Sequence, residues 1–255
     1  MAVLLKLEDM SIRFGGLVAV DHLDLEIEEG QVVALIGPNG AGKSTVFNVI
    51  TGIYRPTGGK VLFRGEDITK MKSYNITGRG IARTFQNIHL FKNVSVLDNV
   101  RIGSHCRGTA GVFGAVVKPP KVKGEEKEIT EKALAVLEIV DLAGKKEELA
   151  KNLAYGEQRR LEIARALAAE PLLLLLDEPA AGMNPQEKQH LMDLLQRIRS
   201  MGITVLLVEH DMKFVMNISD RVDVLDYGQK IASGTPAEVQ NDPLVITAYL
   251  GQAAV

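Results

Sequence analysis

A glycine-rich run early in the chain has the residue types and spacing of a phosphate-binding loop. The run consists of Gly37, Pro38, Asn39, Gly40, Ala41, Gly42, Lys43 and Ser44. Because glycine lacks a Cβ, the backbone can turn so that several N–H groups point into one hollow and bind phosphate oxygens. Lys43 is placed to reach the β- and γ-phosphates of a nucleotide, and the Ser44 hydroxyl to hold Mg²⁺.

The residues on either side of this loop have the patterns that such a loop requires. Residues 31–36 form an apolar run typical of a buried strand, and residues 45–50 are expected to form the following helix. A helix that begins near Gly42 would add the positive end of its dipole to the phosphate site. We include Thr45, directly after the loop, in the predicted nucleotide site. The order of strand, loop and helix argues against a glycine-rich turn with a chance lysine.

Two carboxylates follow a run of five leucines, residues 172–176. A strand buried on both faces is apolar throughout, and ligands of open α/β sheets bind at the carboxyl ends of the strands. Since side chains alternate along a strand, we expect Asp177 and Glu178 to have different tasks. We assign Mg²⁺ to Asp177, and to Glu178 the orientation and deprotonation of an attacking water. The alternative is a solvated strand end.

A second apolar run, residues 203–208, also ends in polar side chains. If it forms a strand parallel to the one before Asp177, His210 lies at the same edge of the sheet and can reach a γ-phosphate. We therefore assign His210, with Glu178 and Lys43, to catalysis. The remaining histidines have no comparable context and are expected to be incidental: His22, His89, His105 and His190.

Three further residues keep two interpretations each. Phe14, just before two glycines, is either a core residue or a ring that stacks on an adenine. Gln86 ends a predicted short strand, residues 80–86, and is either solvated or bridges a nucleotide-bound metal ion and a moving segment. Gly156 begins a predicted helix, where it is either part of an ordinary cap or opens backbone N–H groups to an anion.

The order of the predicted elements indicates an α/β domain with an insertion. Residues 3–8 and 23–27 alternate apolar and polar side chains, which favours antiparallel edge strands. Residues 87–169 have helical periodicity, so we predict that a helical subdomain interrupts a core formed by residues 1–86 and 170–255. Residues 103–124 are expected to be irregular, and the apolar residues 112–117 within them form either part of a flexible loop or a docking surface.

The bulk properties exclude several classes of protein. The chain has 255 residues, 46% of them apolar, which is enough for one large domain with a core. The net charge of −2 gives no field that attracts nucleic acid, so no nucleic-acid partner is expected. The single cysteine, Cys106, excludes an internal disulfide framework. No signal peptide or membrane-spanning run is evident, and we expect a cytoplasmic protein.

Taken together, these motifs resemble the ATP-binding subunit of an ABC transporter. The resemblance spans the whole chain and rests on residues 37–44, Gln86, residues 153–158, residues 172–178 and His210, in the order of that family. Residues 153–158 (Leu-Ala-Tyr-Gly-Glu-Gln) and the segment after Glu178 are similar to one subgroup. That subgroup is the larger ATPase type of branched-chain amino acid uptake systems.

The resemblance implies a fold and a mechanism. The fold is a P-loop NTPase core, in which helices flank a mixed, mainly parallel sheet, with an antiparallel β subdomain at its edge and an inserted α-helical subdomain. ATP and Mg²⁺ would bind between two head-to-tail ATPase subunits, with the phosphate loop of one facing the Gly156 segment of the other. Pairing and hydrolysis would drive permease subunits in import, with residues 86–91 passing the ATP state to them. The protein would lie at the inner face of the membrane.

The sequence departs from the general family pattern at two places. The signature segment usually has Leu-Ser-Gly-Gly-Gln, but Ala154, Tyr155 and Glu157 replace three of these residues. A serine hydroxyl is therefore absent, and the N–H groups near Gly156 would carry more of the γ-phosphate contact. Asn184 stands where an aspartate is usual, which puts charge-based communication between paired sites in doubt.

Several other functions remain open at this point. A soluble ABC-type ATPase without a permease and an importer of another small polar solute fit the same motifs. A DNA-repair ABC protein would carry a long coiled coil between Gln86 and Gly156, and a translation-type protein usually has two cassettes. A kinase or switch GTPase would not need the Gly156 segment or His210. The sequence also leaves open whether the working pair is a homodimer or a heterodimer.

Overall fold

The computed structural model describes residues 2–104 and 120–250 of the chain. The strands in chain order are β1 (Val3–Phe14), β2 (Leu17–Glu28), β3 (Val32–Ile36), β4 (Gly58–Phe63), β5 (Glu66–Asp67), β6 (Ile81–Arg83), β7 (Leu173–Asp177), β8 (Thr204–Val208), β9 (Arg221–Asp226) and β10 (Gln229–Gly234). The helices are α1 (Lys43–Ile50), α2 (Ser73–Gly78), α3 (Val96–Ser104), α4 (Pro120–Ile139), α5 (Tyr155–Leu167), α6 (Pro185–Ser200), α7 (Met212–Ile218), α8 (Pro236–Gln240) and α9 (Pro243–Leu250). Short 3₁₀ turns cover Ala143–Lys145 and Ala150–Asn152.

A six-stranded sheet with the order β10-β9-β3-β8-β7-β6 forms the centre of the fold. Strands β9, β3, β8, β7 and β6 run parallel, and β10 pairs antiparallel with β9 at one edge. Strands β3, β7 and β8 are buried along their whole length, as their continuous apolar sequences predict. Because these strands are parallel, the residues that follow them lie at one edge of the sheet, where the predicted site residues occur.

Alternate residues of the central strands face two separate hydrophobic clusters. Val33 and Leu35 pack with β1, β2, β4 and α1, whereas Val32, Ala34 and Ile36 pack with the helices on the other side. The second cluster also contains Val96 and Leu137 from the predicted helical region. The helices of that region therefore share a core with the sheet.

The antiparallel edge sheet has the order β2-β1-β4-β5 and extends further than the sequence predicted. Its first two strands cover Val3–Phe14 and Leu17–Glu28, beyond the predicted residues 3–8 and 23–27. Their register shifts between Leu7 and Ile12, and Asp9 and His22 have φ of 50° and 49°. A bulge of this kind shifts the alternation of side chains, so the pattern in the sequence breaks before the strands do.

Three features of the secondary structure differ from those predicted. Strand β6 ends at Arg83, so Gln86 lies beyond the strand and not at its last residue. Helix α4 begins at Pro120, inside the stretch expected to be irregular, and α2 was not predicted. The residues 112–117, considered as a docking surface, lie outside the described residues. Within the described residues, no helix is both long and apolar enough to span a bilayer.

Candidate functional site

The phosphate-binding run connects β3 to α1 in the predicted order. Gly42 is the N-cap residue of α1 and has φ of 101°, a backbone conformation that residues with a Cβ rarely adopt. A Cβ at this position would also lie 2.6 Å from the Ala19 carbonyl oxygen of β2. The loop therefore needs glycine for its turn and for its close approach to the edge sheet. The N-terminal end of α1 opens toward the cleft described below.

Lys43 lies at the base of the loop with its ammonium group turned inward. Its Nζ donates to the carbonyl oxygens of Gly37 and Pro38, at 2.7 and 2.8 Å, and the residue is 6% exposed. Burial lowers the pKa of Lys43, and the nearby carboxylates of Glu178 and Asp177 act against that shift. The loop thus holds one buried cation close to two carboxylates. The buried ammonium complements an anionic phosphate, and the two carboxylates beside it favour a cation bound together with that phosphate.

A cleft of about 510 Å³ lies above the loop. Its lining comprises Phe14, Leu17, Val18, Ala19, Asn39, Gly40, Ala41, Gly42, Lys43, Ser44, Thr45, Glu178, His210 and Tyr227. Phe14 is 44% exposed, so it is not a core residue, and its ring meets the edge of Tyr54 at 5.1 Å between centroids. The structure therefore brings Phe14, the loop, Glu178 and His210 to one cleft. Stacking of Phe14 on a base stays a prediction.

The carboxylate of Glu178 lies between two other predicted site residues. Gln86 Nε2 donates to Glu178 Oε2 at 2.8 Å, and His210 Nε2 lies 2.8 Å from Glu178 Oε1. Strand β7 ends at Asp177 and Glu178 has φ of 48°, so strand alternation does not set the direction of its side chain, contrary to the sequence argument. The two carboxylates diverge because the backbone turns between them.

Asp177 has a different environment from its neighbour. Its Oδ2 accepts a hydrogen bond of 2.8 Å from Arg83 Nη2, and both side chains are less than a tenth exposed. The same guanidinium donates to Asn48 Oδ1 at 2.7 Å. Asp177 is thus a buried carboxylate with a paired cation, fixed between β6, β7 and α1.

The residues fit a magnesium ion that is bound mainly through a nucleotide. Among the described residues, no cluster of three or more His, Cys, Asp or Glu side chains is arranged as a metal cage. Mg²⁺ usually takes one or two protein ligands and completes its shell with waters and phosphate oxygens. The Ser44 hydroxyl and the Asp177 carboxylate are oxygen donors of that kind. Gln86, also predicted to contact the metal, donates to Glu178 through Nε2, and its metal contact stays a prediction.

Gly156 does not line this cleft. It is the second residue of α5 and lines a separate cleft of about 260 Å³ with residues of α6, including Glu187 and His190. A Cβ at Gly156 would lie 2.6 Å from Glu187 Oε1. The Glu157 carboxylate accepts from the Ala154 N–H at 3.1 Å and from Lys145 at 2.9 Å. The carboxylates around Gly156 therefore already have partners in the same chain.

Comparison with known proteins identifies the family. The family model described as ABC transporter matches residues 20–181, and the one described as branched-chain amino acid ATP-binding cassette transporter matches residues 229–255. The chain is 45% identical, over 98% of both chains, to the high-affinity branched-chain amino acid transport ATP-binding protein LivG of Escherichia coli (strain K12). The chain belongs to the ABC transporter family. It is the ATP-binding cassette, the subunit that binds and hydrolyses ATP.

Solved structures of ABC cassettes have the same fold. The crystal structure of the ADP conformation of MJ1267, an ATP-binding cassette of an ABC transporter, matches with a TM-score of 0.87 and 34% identity, covering 98% of this chain and 100% of that chain. A dimeric structure of the cassette MJ0796, in a post-hydrolysis state with ADP and Pi, matches with a TM-score of 0.76 and 26% identity over 91% and 98% of the two chains. These matches confirm the P-loop NTPase fold of the ABC cassette.

Two residues of the cassette's site were missed from sequence. Arg83, the partner of Asp177, is one of them. Its signal in the sequence is a cation at the end of a short apolar strand. Glu209 is 3% exposed, and its carboxylate accepts from the N–H groups of Ala180 and His210 at 2.6 and 3.0 Å. Burial raises the pKa of Glu209, while those N–H groups act against the shift. In the sequence, Glu209 lies between an apolar strand and His210, and this position is the signal that indicates a site residue.

The C-terminal segment of the cassette contacts the phosphate loop. Burial raises the pKa of the Tyr249 hydroxyl in α9, and the backbone of Gly37 acts against that shift. Helix α9 lies within the residues matched by the second family model. The part of the chain matched by that family model therefore lies close to the first glycine of the loop.

Proposed function

We propose that this cassette powers a membrane importer of branched-chain amino acids. Two findings support the substrate class. The relative LivG is named for branched-chain amino acid transport and aligns over 98% of both chains. The family model for residues 229–255 is described by the same substrate class and covers a segment outside the general ABC match.

The arrangement around Glu178 supports the roles of the catalytic residues. In this proposal Glu178 orients and deprotonates the attacking water, and His210 contacts the γ-phosphate. Lys43 neutralises the β- and γ-phosphates from inside the loop. The observation that carries these roles is the Glu178 carboxylate, held between Gln86 and His210 at 2.8 Å from each, beside the phosphate loop.

Mg²⁺ would be held by Ser44 and Asp177 together with the nucleotide. A bound cation would neutralise charge on the phosphates and help to place them in line with the water. Arg83 holds one oxygen of Asp177 and so fixes the orientation of the carboxylate. Gln86 donates to Glu178 through Nε2, so its amide oxygen is the atom that would join the metal site.

The working unit would contain a second ATPase subunit. Gly156 lies outside the nucleotide cleft of its own chain, so it can contact a nucleotide only in a partner's cleft. The dimeric MJ0796 cassette shows that a related fold pairs. The partner would be a second copy or a paralogous ATPase subunit, and the site would bind ATP and release ADP.

Permease subunits would hold the cassette at the inner face of the cell membrane. The residues after Gln86 offer a surface for this contact, because Phe91 is 49% exposed. Leu90, which the sequence argument treated in the same way, is half-buried against the core and is less suited to docking. The remainder of the protein would face the cytoplasm.

Uptake by the assembled transporter tests the substrate class. Vesicles that contain the chain with its own permease subunits are supplied with ATP and radiolabelled leucine, isoleucine or valine, with sulfate as a control solute. We expect ATP-dependent uptake of the amino acids that disappears with Glu178→Gln. ATP hydrolysis without membrane association would indicate a soluble ATPase instead. Uptake of another solute alone would refute the substrate class.

A further inference from the structure

Helix α5 reaches the Gln86 segment through one buried guanidinium. Arg159 is 4% exposed, although it carries a charge. Its Nη1 donates to the carbonyl oxygen of Phe85 at 2.9 Å, and its Nη2 donates to the carbonyl oxygen of Gln86. The planar guanidinium thus holds two successive carbonyl groups, which fixes the direction of the backbone from which the Gln86 side chain extends.

The same guanidinium is joined to the segment that follows Glu178. Arg159 Nη2 lies 3.2 Å from the Tyr155 hydroxyl, and its guanidinium carbon is 5.6 Å from the centre of the Tyr155 ring. The Tyr155 hydroxyl in turn donates to the carbonyl oxygen of Ala181 at 3.0 Å. Ala181 N donates to the Glu178 carbonyl oxygen, so this contact lies one turn from the proposed base.

Together with the backbone, these hydrogen bonds form a closed ring of contacts that includes Glu178. Starting from its carboxylate, the ring passes through the Gln86 amide, the Gln86 carbonyl, Arg159, the Tyr155 hydroxyl and the Ala181 carbonyl. It then returns along the backbone to Glu178. One side of the ring belongs to α5 and the other to the segments at the ends of β6 and β7. A shift of Arg159 would therefore move the Gln86 amide relative to the Glu178 carboxylate.

Glu162 provides the charge that allows Arg159 to be buried. Its carboxylate lies 3.4 Å from Arg159 Nη1 and accepts from the His89 N–H at 3.3 Å. Burial raises the pKa of Glu162, and the hydrogen bond from His89 acts against that shift. Buried charges cost free energy unless they are paired and hydrogen-bonded. Helix α5 therefore holds the carbonyl oxygens of Phe85 and Gln86 through Arg159. It holds the His89 N–H through Glu162.

We propose that Arg159 is a positioning residue for ATP hydrolysis: it sets the Gln86 amide against Glu178, and Tyr155 secures it to Ala181. The proposal rests on the roles proposed above for Gln86 and Glu178. It predicts that loss of Arg159 slows the chemical step and leaves nucleotide binding nearly unchanged. The reason is that neither Arg159 nor Tyr155 lines the nucleotide cleft.

The first test separates binding from turnover. The full chain is compared with Arg159→Met, which keeps an unbranched apolar side chain but removes the guanidinium, and with Arg197→Met. Arg197, near the C-terminal end of α6, is the control because its guanidinium also makes two hydrogen bonds, both to Asp141, and it does not line the nucleotide cleft. We expect Arg159→Met to lower single-turnover hydrolysis at saturating Mg–ATP about 10- to 100-fold, since small misplacements at reacting groups have effects of that order. Affinity for a fluorescent ATP analogue should stay within about 3-fold, and Arg197→Met should match the parent in both.

The second test asks whether Arg159 acts through Gln86. Each change is made alone and together, and hydrolysis rates are compared as a double-mutant cycle. If Arg159 positions Gln86, Arg159→Met should have little further effect in the Gln86→Ala background. If the double variant loses hydrolysis by the product of the two single losses, the inference is overturned and the role of Gln86 stays intact. A Gln86→Ala variant with the parent's rate would refute the role of Gln86 and this inference with it.

Tyr155→Phe keeps the proposal testable if Arg159→Met does not fold. Tyr155 is 43% exposed, so loss of its hydroxyl should be tolerated by the fold. We expect hydrolysis to fall about 3- to 10-fold, which is the effect of one hydrogen bond, with the same dependence on Gln86. Arg159→Lys, which can reach one of the two carbonyls, should recover part of the rate lost in Arg159→Met. A parent-like rate in Tyr155→Phe would show that the link to Ala181 does not serve hydrolysis.

Discussion

The phosphate loop and the Gly156 segment of this cassette differ in which chemical groups their own chain places beside them. The phosphate loop lies in a cleft that already contains a cation, a carboxylate and a histidine, in Lys43, Glu178 and His210. The Gly156 segment lies in a smaller cleft, where Glu157 caps its own helix and Glu187 lies against the glycine. One segment has its chemical groups in the same chain, whereas the other has only structural contacts there.

This difference teaches how the chemistry is divided in the proposed pair. Changes in the phosphate-loop cleft should alter binding or hydrolysis by the chain itself. Changes at Gly156 itself should alter pairing or stability and leave the nucleotide affinity of the single chain unchanged, whereas Tyr155 and Arg159 are expected to act on hydrolysis through Gln86. Each prediction below tests one side of this division.

Glu178→Gln should have the largest effect on hydrolysis. Glutamine keeps the shape and can still contact Gln86 and His210, but it cannot accept a proton. General-base catalysis typically contributes about 10²- to 10⁴-fold, so single-turnover hydrolysis should fall by that factor. ATP affinity should be retained, and the variant should accumulate as an ATP-loaded pair in sedimentation. A verified pair that hydrolyses ATP at the parent's rate would exclude Glu178 as the base and direct attention to His210.

Lys43→Ala should weaken nucleotide binding more than any change near Gly156. The variant loses the buried ammonium at the base of the loop, and a hydrogen bond to a charged partner is worth about 1.5–3 kcal/mol. Affinity for Mg–ATP should therefore fall roughly 10- to 100-fold in an equilibrium titration. The matched control is Lys60→Ala, a lysine of β4 that does not line the cleft. Parent-like affinity and turnover in Lys43→Ala would contradict the assignment.

Much of this site was predictable because its signals are local. The phosphate loop, the apolar strands β7 and β8 and the polar residues after them lie within short runs, and parallel pairing brings those runs to one edge. The resemblance to ABC cassettes placed Gly156 outside its own nucleotide site. The sequence also showed that Tyr155 replaces a glycine of the general pattern.

The remaining features depend on contacts between distant residues. Arg83 and Asp177 are 94 residues apart in the chain, and no periodic pattern indicates that they pair. Neither the bulge at Asp9 nor the turn at Glu178 follows from alternation, which assumes a regular strand. The reach of Tyr155 to Ala181 likewise depends on how α5 packs against the end of β7.

Gly156→Asp should abolish ATP-driven pairing while the single chain still binds ATP. The new side chain would start 2.6 Å from Glu187 Oε1, so the two carboxylates would repel and one would be displaced toward the partner. Pairing can be measured by sedimentation with ATP in the Glu178→Gln background. Gly156→Ala is the control for size, because its methyl group also displaces the Glu187 side chain but adds no charge. Equal pairing in both variants would show that Gly156 does not face a nucleotide.

Asn184→Ala should have the smallest effect of these changes, and that effect should be on stability alone. Asn184 is the N-cap of α6: its Oδ1 accepts from the Glu187 N–H at 3.0 Å, and Glu187 accepts from the Asn184 N–H at 2.9 Å. Loss of such a cap costs about 0.5–2 kcal/mol, which corresponds to a decrease in Tm of a few degrees for a domain of this size. Asn184→Asp retains an acceptor and adds a charge that favours the helix N-terminus, so its Tm should equal or exceed that of the parent. ATP affinity of the single chain should be the same in all three proteins. A loss of affinity in Asn184→Ala would show that the Gly156 side also shapes the nucleotide cleft of its own chain, and the division between the two segments would fail.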